Sequence, residues 1–309
     1  MARVIIREVG MRDGLQSIAA SMATADKHAW IDAEHAAGVS EIEVCSFVPV
    51  KLLPQFADAE DVVRHALTRP GLVVAALTPN LRGAERGFAL GVHKLNFVVS
   101  VSEAHNLANV RRPVAESVAD FRAIVAARNA LPGGARPVLA AGLSTSFGCS
   151  IAGAVDPDAV VALAGQLLAA GAEELVVADT VGYANPAQVR ALLSRILREA
   201  GRVPVAAHFH DTRGLGLANS LAALDAGITA FDASLGGFGG CPYAPGASGN
   251  VATEDLAFML EGMGVETGID IGRLLAARAH VERALPGTTF FGALARAGLP
   301  KGYAARRAA

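Results

Sequence analysis

His208 and His210 stand two residues apart in a chain of 309 residues. In an extended strand alternate side chains share a face, so both imidazoles project to the same side. Two convergent nitrogens make half of a metal site, although a hydrogen-bonded pair in a core accounts for an isolated HxH equally well. Asp13 supplies the hard carboxylate that such a site requires, and Asn250 offers a neutral carbonyl oxygen. This mixed nitrogen and oxygen set, completed by water, suits an octahedral Mg2+ or Mn2+ better than the thiolate-rich tetrahedron of structural zinc, while ligand type leaves Zn2+ and Co2+ open. Arg12, beside Asp13 and framed by Gly10, Gly14 and Gln16, reads as a guanidinium facing substrate rather than a salt-bridged scaffold residue. Glu43 lies between apolar Ile42 and Val44; an unpaired charge there is costly, and its expected partner is Arg12. Asp179 belongs to VVADTVG, where a carboxylate can cap the following helix; Thr180 could fill that role and leave Asp179 free. Cys241 sits in GGFGGCPYAPGASGN, fifteen residues with six glycines. Glycine is costly to order and is tolerated where backbone turns tightly or approaches a ligand, so the Cys241 thiol is a candidate acid or base. Cys45 lies in an apolar strand and reads as filler, and Cys149 is ambiguous.

Residues so far apart in sequence need a scaffold that gathers them. Apolar, β-branched runs recur at Val4 to Val9, Glu41 to Phe47, Leu72 to Leu77, Lys94 to Val99, Pro137 to Leu143, Glu174 to Ala178, Pro204 to His208 and Ala230 to Leu235. Helix-length segments with three-to-four apolar spacing alternate with them, among them Thr24 to Ala37, Glu116 to Ala130, Asp158 to Ala170, Pro186 to Glu199 and Leu217 to Asp225. Eight such units predict an α/β fold, a (β/α)8 TIM barrel with a C-terminal helical extension. An open doubly wound sheet is the runner-up, weakened because no GxGxxG turn opens the first unit. The expected division is a catalytic barrel over 1–267, then an extension over 268–309 whose last ten or so residues form a mobile tail. In a barrel the carboxyl ends of strands carry the active face, and the unusual polar residues fall at those ends.

Composition narrows the partners. The chain is 52% hydrophobic and 18% charged with a formal net charge of -2, which supports a large core and argues against nucleic acid. No apolar run approaches the ~20 residues of a membrane helix, and the amino terminus enters a strand directly. A soluble, cytoplasmic protein with no membrane partner is expected. Three separated cysteines argue against a disulfide framework.

With these residues in place the chain resembles the hydroxymethylglutaryl-CoA lyase family of metal-dependent barrel lyases. The matching segments are EVGMRDGLQ (8–16), EIEVCSFVPVKLLPQFAD (41–58), LTPNLRG (77–83), DTVG (179–182), HFHDTRGLGLAN (208–219) and GGFGGCPYAPGASGNVATEDLAFMLEG (236–262). The resemblance implies divalent-metal ligation by Asp13, His208, His210 and Asn250. It implies catalysis involving Arg12, Asp179, His208 and Cys241 with Glu43 beside them, cofactor contacts from Gln16 and Glu254, an acyl-CoA substrate and a homodimer. The implied reaction is retro-Claisen cleavage of a 3-hydroxy-3-methylglutaryl-CoA or a close 3-alkyl homologue. Alternatives are a condensing synthase of the 2-alkylmalate type and a degenerate barrel that only binds. Two departures fall where acyl-CoA should enter. Ser17 and Ile18 follow RDGLQ where the family has Asn-Glu and soon a Lys, and Cys149 to Gly153 reads CSIAG where the family has CPYEG. The substrate's 3-substituent is therefore expected to vary more readily than the chemistry.

Overall fold

Val, Ile, Leu and Ala dominate the strand segments because a parallel sheet covered by helices is buried on both faces. In the computed structural model, which describes residues 3–134, 136–240 and 249–303, these segments form β1 (Ile5–Glu8), β2 (Glu41–Ser46), β3 (Val73–Thr78), β4 (Lys94–Ser100), β5 (Val138–Ser144), β6 (Glu174–Asp179), β7 (Val205–Phe209) and β8 (Ala230–Ala233). They close into a barrel in sequence order, all neighbours parallel, with Glu8 of β1 paired to Ala233 of β8. The expected (β/α)8 architecture is the one observed. Cys241 and the last residues of the expected tail, 304–309, lie outside the described residues.

The outer layer comprises α1 (Thr24–Ala36), α2 (Ala59–Leu67), α3 (Leu81–Leu90), α4 (Glu103–Val110), α5 (Val114–Asn129), α6 (Pro157–Ala170), α7 (Pro186–Ala200), α8 (Gly216–Ala226) and α9 (Thr253–Gly262). Local chemistry sets the bounds. Asn185 and Gln188 form a capping box around Pro186 at the start of α7, and Gly171 and Gly227 end α6 and α8 in the left-handed region at φ 105° and 107°. A further helix, α10 (Ile271–Ala284), packs on α1 and α9, within the segment expected to be helical.

Among the elements that the sequence expectation lacks, two bear on the site. Residues Gly10–Gly14 coil into a single π-helical turn directly after β1. Such wide turns are uncommon and concentrate at functional sites. Helix α4 interrupts the path from β4 to α5, its first turn capped by the Ser102 hydroxyl, which accepts from the His105 N–H at 3.3 Å. Its eight residues are too few to show a periodic stripe.

Beneath the carboxyl ends of the strands the barrel interior is charged. Arg7 bonds Asp232 at 2.7 Å and also pairs with Glu174, while Lys94 bridges Glu41 at 2.7 Å and Glu174 at 2.8 Å. Buried charges of this kind are tolerated because the barrel brings opposite charges within reach of one another.

Candidate active site

The π-turn is held at its start by the carbonyl of Val9, which accepts from Arg12 N–H at 3.0 Å and Asp13 N–H at 2.6 Å. This places Arg12 and Asp13 over the end of the barrel. The Arg12 Nε donates to Glu43 at 2.5 Å, and its terminal nitrogen pairs with Asp13, so one guanidinium is pinned between two carboxylates. The anticipated Arg12 and Glu43 pair is thus present. Asn96 of β4 donates to the other Glu43 oxygen at 2.7 Å, which completes the satisfaction of that buried carboxylate. Burial pushes the Glu43 carboxyl up, and Arg12 offsets only part of that.

His208 and His210 face the same cavity, as strand periodicity requires, with ring centroids 5.0 Å apart. One ligand atom from each of Asp13, His208 and His210 can be chosen so that all lie within 4.8 Å of one another. His208 Nδ1 meets Asp232 at 3.1 Å, which leaves Nε2 for the cavity. His210 Nε2 is 3.7 Å from Asp13 Oδ2, and its buried Nδ1 has no partner among the described residues. Asn250 donates from Nδ2 to Asp13 at 2.8 Å, and its buried Oδ1 likewise has no partner among them. Two orphaned polar atoms beside a carboxylate and two imidazoles are what a cation's coordination sphere would satisfy.

Electrostatics agree with that fit. Burial opposes ionisation of Asp13, yet Arg12, His210 and His208 hold its carboxyl well below the usual range. Asp232 is similarly buried and is held at about 2 by Arg7 and His208. Burial lowers the His208 pKa, but Asp232 and Asp13 outweigh it and raise the net value.

The cavity holds about 560 Å3. Its lining joins polar Arg12, Asp13, Glu43, Asn96, Ser144, Thr180 and the two histidines to apolar Leu77, Val98, Gly142, Val176 and Ala178. Gln16 sits half-buried on its wall, and residues 48–53 and 108–112 flank it, the latter carrying Arg111 and Arg112. Both arginines also line an adjoining groove with Arg82.

Two expectations need correction. Asp179 was to be free because Thr180 could cap the next helix, but Asn185 caps that helix and Asp179 is engaged by the turn before it. The Asp179 carboxylate accepts from the N–H groups of Tyr183 at 2.8 Å and Ala184 at 3.0 Å and does not line the cavity, whereas Thr180 does line it and its Oγ1 accepts from the Thr145 N–H. A carboxylate at a strand end reaches the amides of the turn that follows more easily than it reaches across the barrel. Glu254 is not a cofactor contact in this geometry. It is fully buried outside the cavity, paired with Arg278 of α10 and accepting from Gly236 N–H at 3.0 Å. Cys45 is buried, and burial pushes its thiol well up, in keeping with filler. Cys149 is also buried, its sulfur accepting from the N–H groups of Ile151 and Ala152.

Sequence reasoning missed Asp232, Asn96 and His105. Asp232 had a usable signal, a lone carboxylate in the strand after HxH. Asn96 had none, because its role exists only once the barrel brings β4, across β3, within reach of Glu43 on β2. His105 lines the cavity from α4, with Nδ1 at 2.8 Å from Ser100 Oγ, and burial lowers its pKa.

Comparison with known proteins fits this geometry. The HMGL-like family pattern matches residues 3–281. A hydroxymethylglutaryl-CoA lyase of Bacillus subtilis is 42% identical over 280 residues, 91% of this chain and 92% of the relative. An (R)-citramalyl-CoA lyase of Chloroflexus aurantiacus is 40% identical over 289 residues, 90% of this chain and 89% of the relative. An HMG-CoA lyase structure from Acinetobacter baumannii, in complex with coenzyme A and 3-methylmalate, superposes with TM-score 0.91 at 38% identity, covering 98% of both chains. With a match of this extent over a barrel of the same shape, the chain belongs to the HMGL-like family.

Proposed function

We propose that this protein is a divalent-metal-dependent carbon–carbon lyase that cleaves 3-hydroxy-3-methylglutaryl-CoA, or a closely related 3-hydroxy-3-alkylglutaryl-CoA, to acetyl-CoA and acetoacetate or the matching 3-oxoacid. The observation that carries this reading is the convergence of Asp13, His208 and His210 in a buried cavity with Arg12 pinned beside them. Asp13, His208 through Nε2, His210 and Asn250 would hold the cation, Asn250 by a half-turn of its amide that exchanges nitrogen for oxygen. When bound, a divalent cation acidifies the substrate's 3-hydroxyl and orients its carboxylate.

The residues of the chain then do the following work. The hydroxyl gives its proton to solvent water, the C2–C3 bond breaks, C3 becomes a ketone, and the electron pair remains on C2 as a thioester enolate that takes up a proton. Arg12, held by Glu43, stabilises charge on the thioester oxygen. Asp232 fixes the His208 ring so that Nε2 faces the cavity. Asp179 acts as a positioning residue for the turn after β6, since its oxygens are occupied by backbone N–H groups. Cys241 is assigned by the sequence as proton donor to C2, with a loss of about 10²–10⁴ in rate expected on its removal. Arg82, Arg111 and Arg112 near the mouth suit the phosphates of an acyl-CoA.

The proposal extends to a homodimer in the cytoplasm, the former checked by sedimentation velocity, and to a single catalytic barrel through 267 with the remainder as an extension. Among the described residues, no helix is long and apolar enough to cross a membrane. The deciding experiment incubates Mn2+-loaded protein with 3-hydroxy-3-methylglutaryl-CoA and, separately, with (R)-citramalyl-CoA, reading acetyl-CoA and the oxoacid by mass. Acetyl-CoA with acetoacetate is the expected pair; absence of cleavage of the first thioester and of its 3-alkyl homologues overturns the reading.

A further inference from the structure

We propose, resting on the lyase reading above, that the apolar wall around Gly142 is the subsite for the substrate's 3-substituent, that it accepts alkyl chains longer than methyl, and that Gly142 sets its depth. Strand register provides the first ground. Gly142 of β5 pairs with Val98 of β4 on one side and with Val176 of β6 on the other, and all three line the cavity. Residues paired across parallel strands face the same way, so the glycine is a notch between two valines.

Nothing in the backbone requires glycine there. Gly142 is absent from the positions with positive φ, and glycine inside a buried strand loses packing and costs conformational entropy. The nearest atoms that a Cβ built at Gly142 would meet belong to the adjacent strand, Val98 Cγ2 at 3.3 Å, Phe97 O at 3.6 Å and Val98 Cα at 3.9 Å. Gly142 itself lines the cavity. A glycine retained in a strand without conformational need marks a place that something else must approach.

The chemistry of the walls selects the occupant. Val98 and Val176, which flank the notch, are apolar, and the Ser144 hydroxyl lines the cavity two residues further along β5, so a carboxylate seated in the notch itself would lose much of its hydration. Such a group has partners at Arg12 and the metal-ligand set. β5 lies opposite β1 in the eight-stranded ring, and β1 leads into the turn that carries Asp13. A carbon centre whose oxygen substituents are held at the Asp13 side therefore directs its remaining, apolar substituent across the barrel toward Gly142. A chain of roughly two to four carbons would gain burial that a methyl group leaves unused.

The test measures kcat/KM for 3-hydroxy-3-alkylglutaryl-CoA thioesters bearing methyl, ethyl, propyl and butyl groups, with the wild type and with Gly142→Leu and Val98→Phe. In the wild type, ethyl and propyl thioesters should be cleaved at least as efficiently as methyl. Each variant should shift the propyl-to-methyl ratio at least tenfold toward methyl, as expected for one or two carbons excluded from an apolar pocket. A wild type that prefers methyl over both ethyl and propyl by more than tenfold overturns the subsite while leaving the lyase reading intact. So does an unchanged ratio in a folded variant. If Gly142→Leu does not fold, Val98→Phe fills the same notch from the neighbouring strand, and if neither folds the wild-type series decides. Failure to cleave any member, methyl included, defeats the lyase reading itself and the subsite with it.

Discussion

At His208 the two ring nitrogens have different duties. Nδ1 faces Asp232 at 3.1 Å, and Asp232 in turn is bonded by Arg7 at 2.7 Å, so a buried chain of charges fixes which nitrogen the cavity receives. Partners of this kind commonly alter metal affinity 10–100-fold when removed. Asp232→Asn should therefore weaken Mn2+ binding by about that factor in a calorimetric titration; an affinity within twofold of wild type would show that the ring is oriented without Asp232. Arg12 is constrained more tightly, between Glu43 and Asp13. A lysine keeps the charge but loses the planar fork that reaches both carboxylates and a substrate oxygen at once. Arg12→Lys should lower kcat by about 10² or more with the smaller change in KM, read from steady-state acetyl-CoA formation.

Among the elements, the π-turn after β1 and the segment leaving β8 are held together by one side chain. The Glu8 carboxylate accepts from Gly10 N–H at 2.6 Å, Leu235 N–H at 3.0 Å and Thr253 Oγ1 at 2.7 Å. Glu34 of α1 faces Glu8 and the Trp30 indole, and both of its oxygens are buried. Burial raises Glu8 to about 7 and, together with the charge of Glu8, raises Glu34 well above the ordinary 4.5. Above pH 4.5 the folded state thus holds protons that the unfolded chain has released. Stability falls as pH climbs from there toward the folded-state values. Glu34→Leu removes one titrating group and relaxes the other, so its stability relative to wild type should increase from pH 5 to pH 8 in denaturant titrations. A difference that is constant across that window would rule out the linkage.

On the scale of the whole molecule, helix α10 is tied to the barrel through a buried ion pair. Arg278 bonds Glu254 and Glu282 and donates to the Phe291 carbonyl. Removing one partner strands the fully buried Glu254 beside the N–H of Gly236. Arg278→Ala should cost about 3 kcal/mol of unfolding free energy. A loss below about 1 kcal/mol would mean that Glu254 takes up a proton or is rehydrated at little cost. Metal should act in the opposite direction, because a cation that binds only the assembled site stabilises the folded state by mass action. At a free Mn2+ concentration 100 times its Kd the gain is about 2.7 kcal/mol, and chelation should reverse it.

The chain's local chemistry determined a great deal. Eight apolar runs separated by helix-length segments with glycine stops specify the barrel, since propensity, periodicity and capping are properties of neighbours in sequence. The two-residue spacing of His208 and His210 fixed their common face, and the apolar flanks of Glu43 pointed to a charged partner. Only the closed barrel decided which groups satisfy one another. It gave Asp179 to the amides of Tyr183 and Ala184, Glu254 to Arg278, Asp232 to His208, and set Gly142 between Val98 and Val176. The reason is physical: hydrogen bonding and desolvation depend on distances of a few ångströms between strands remote in sequence, and no local pattern encodes those distances.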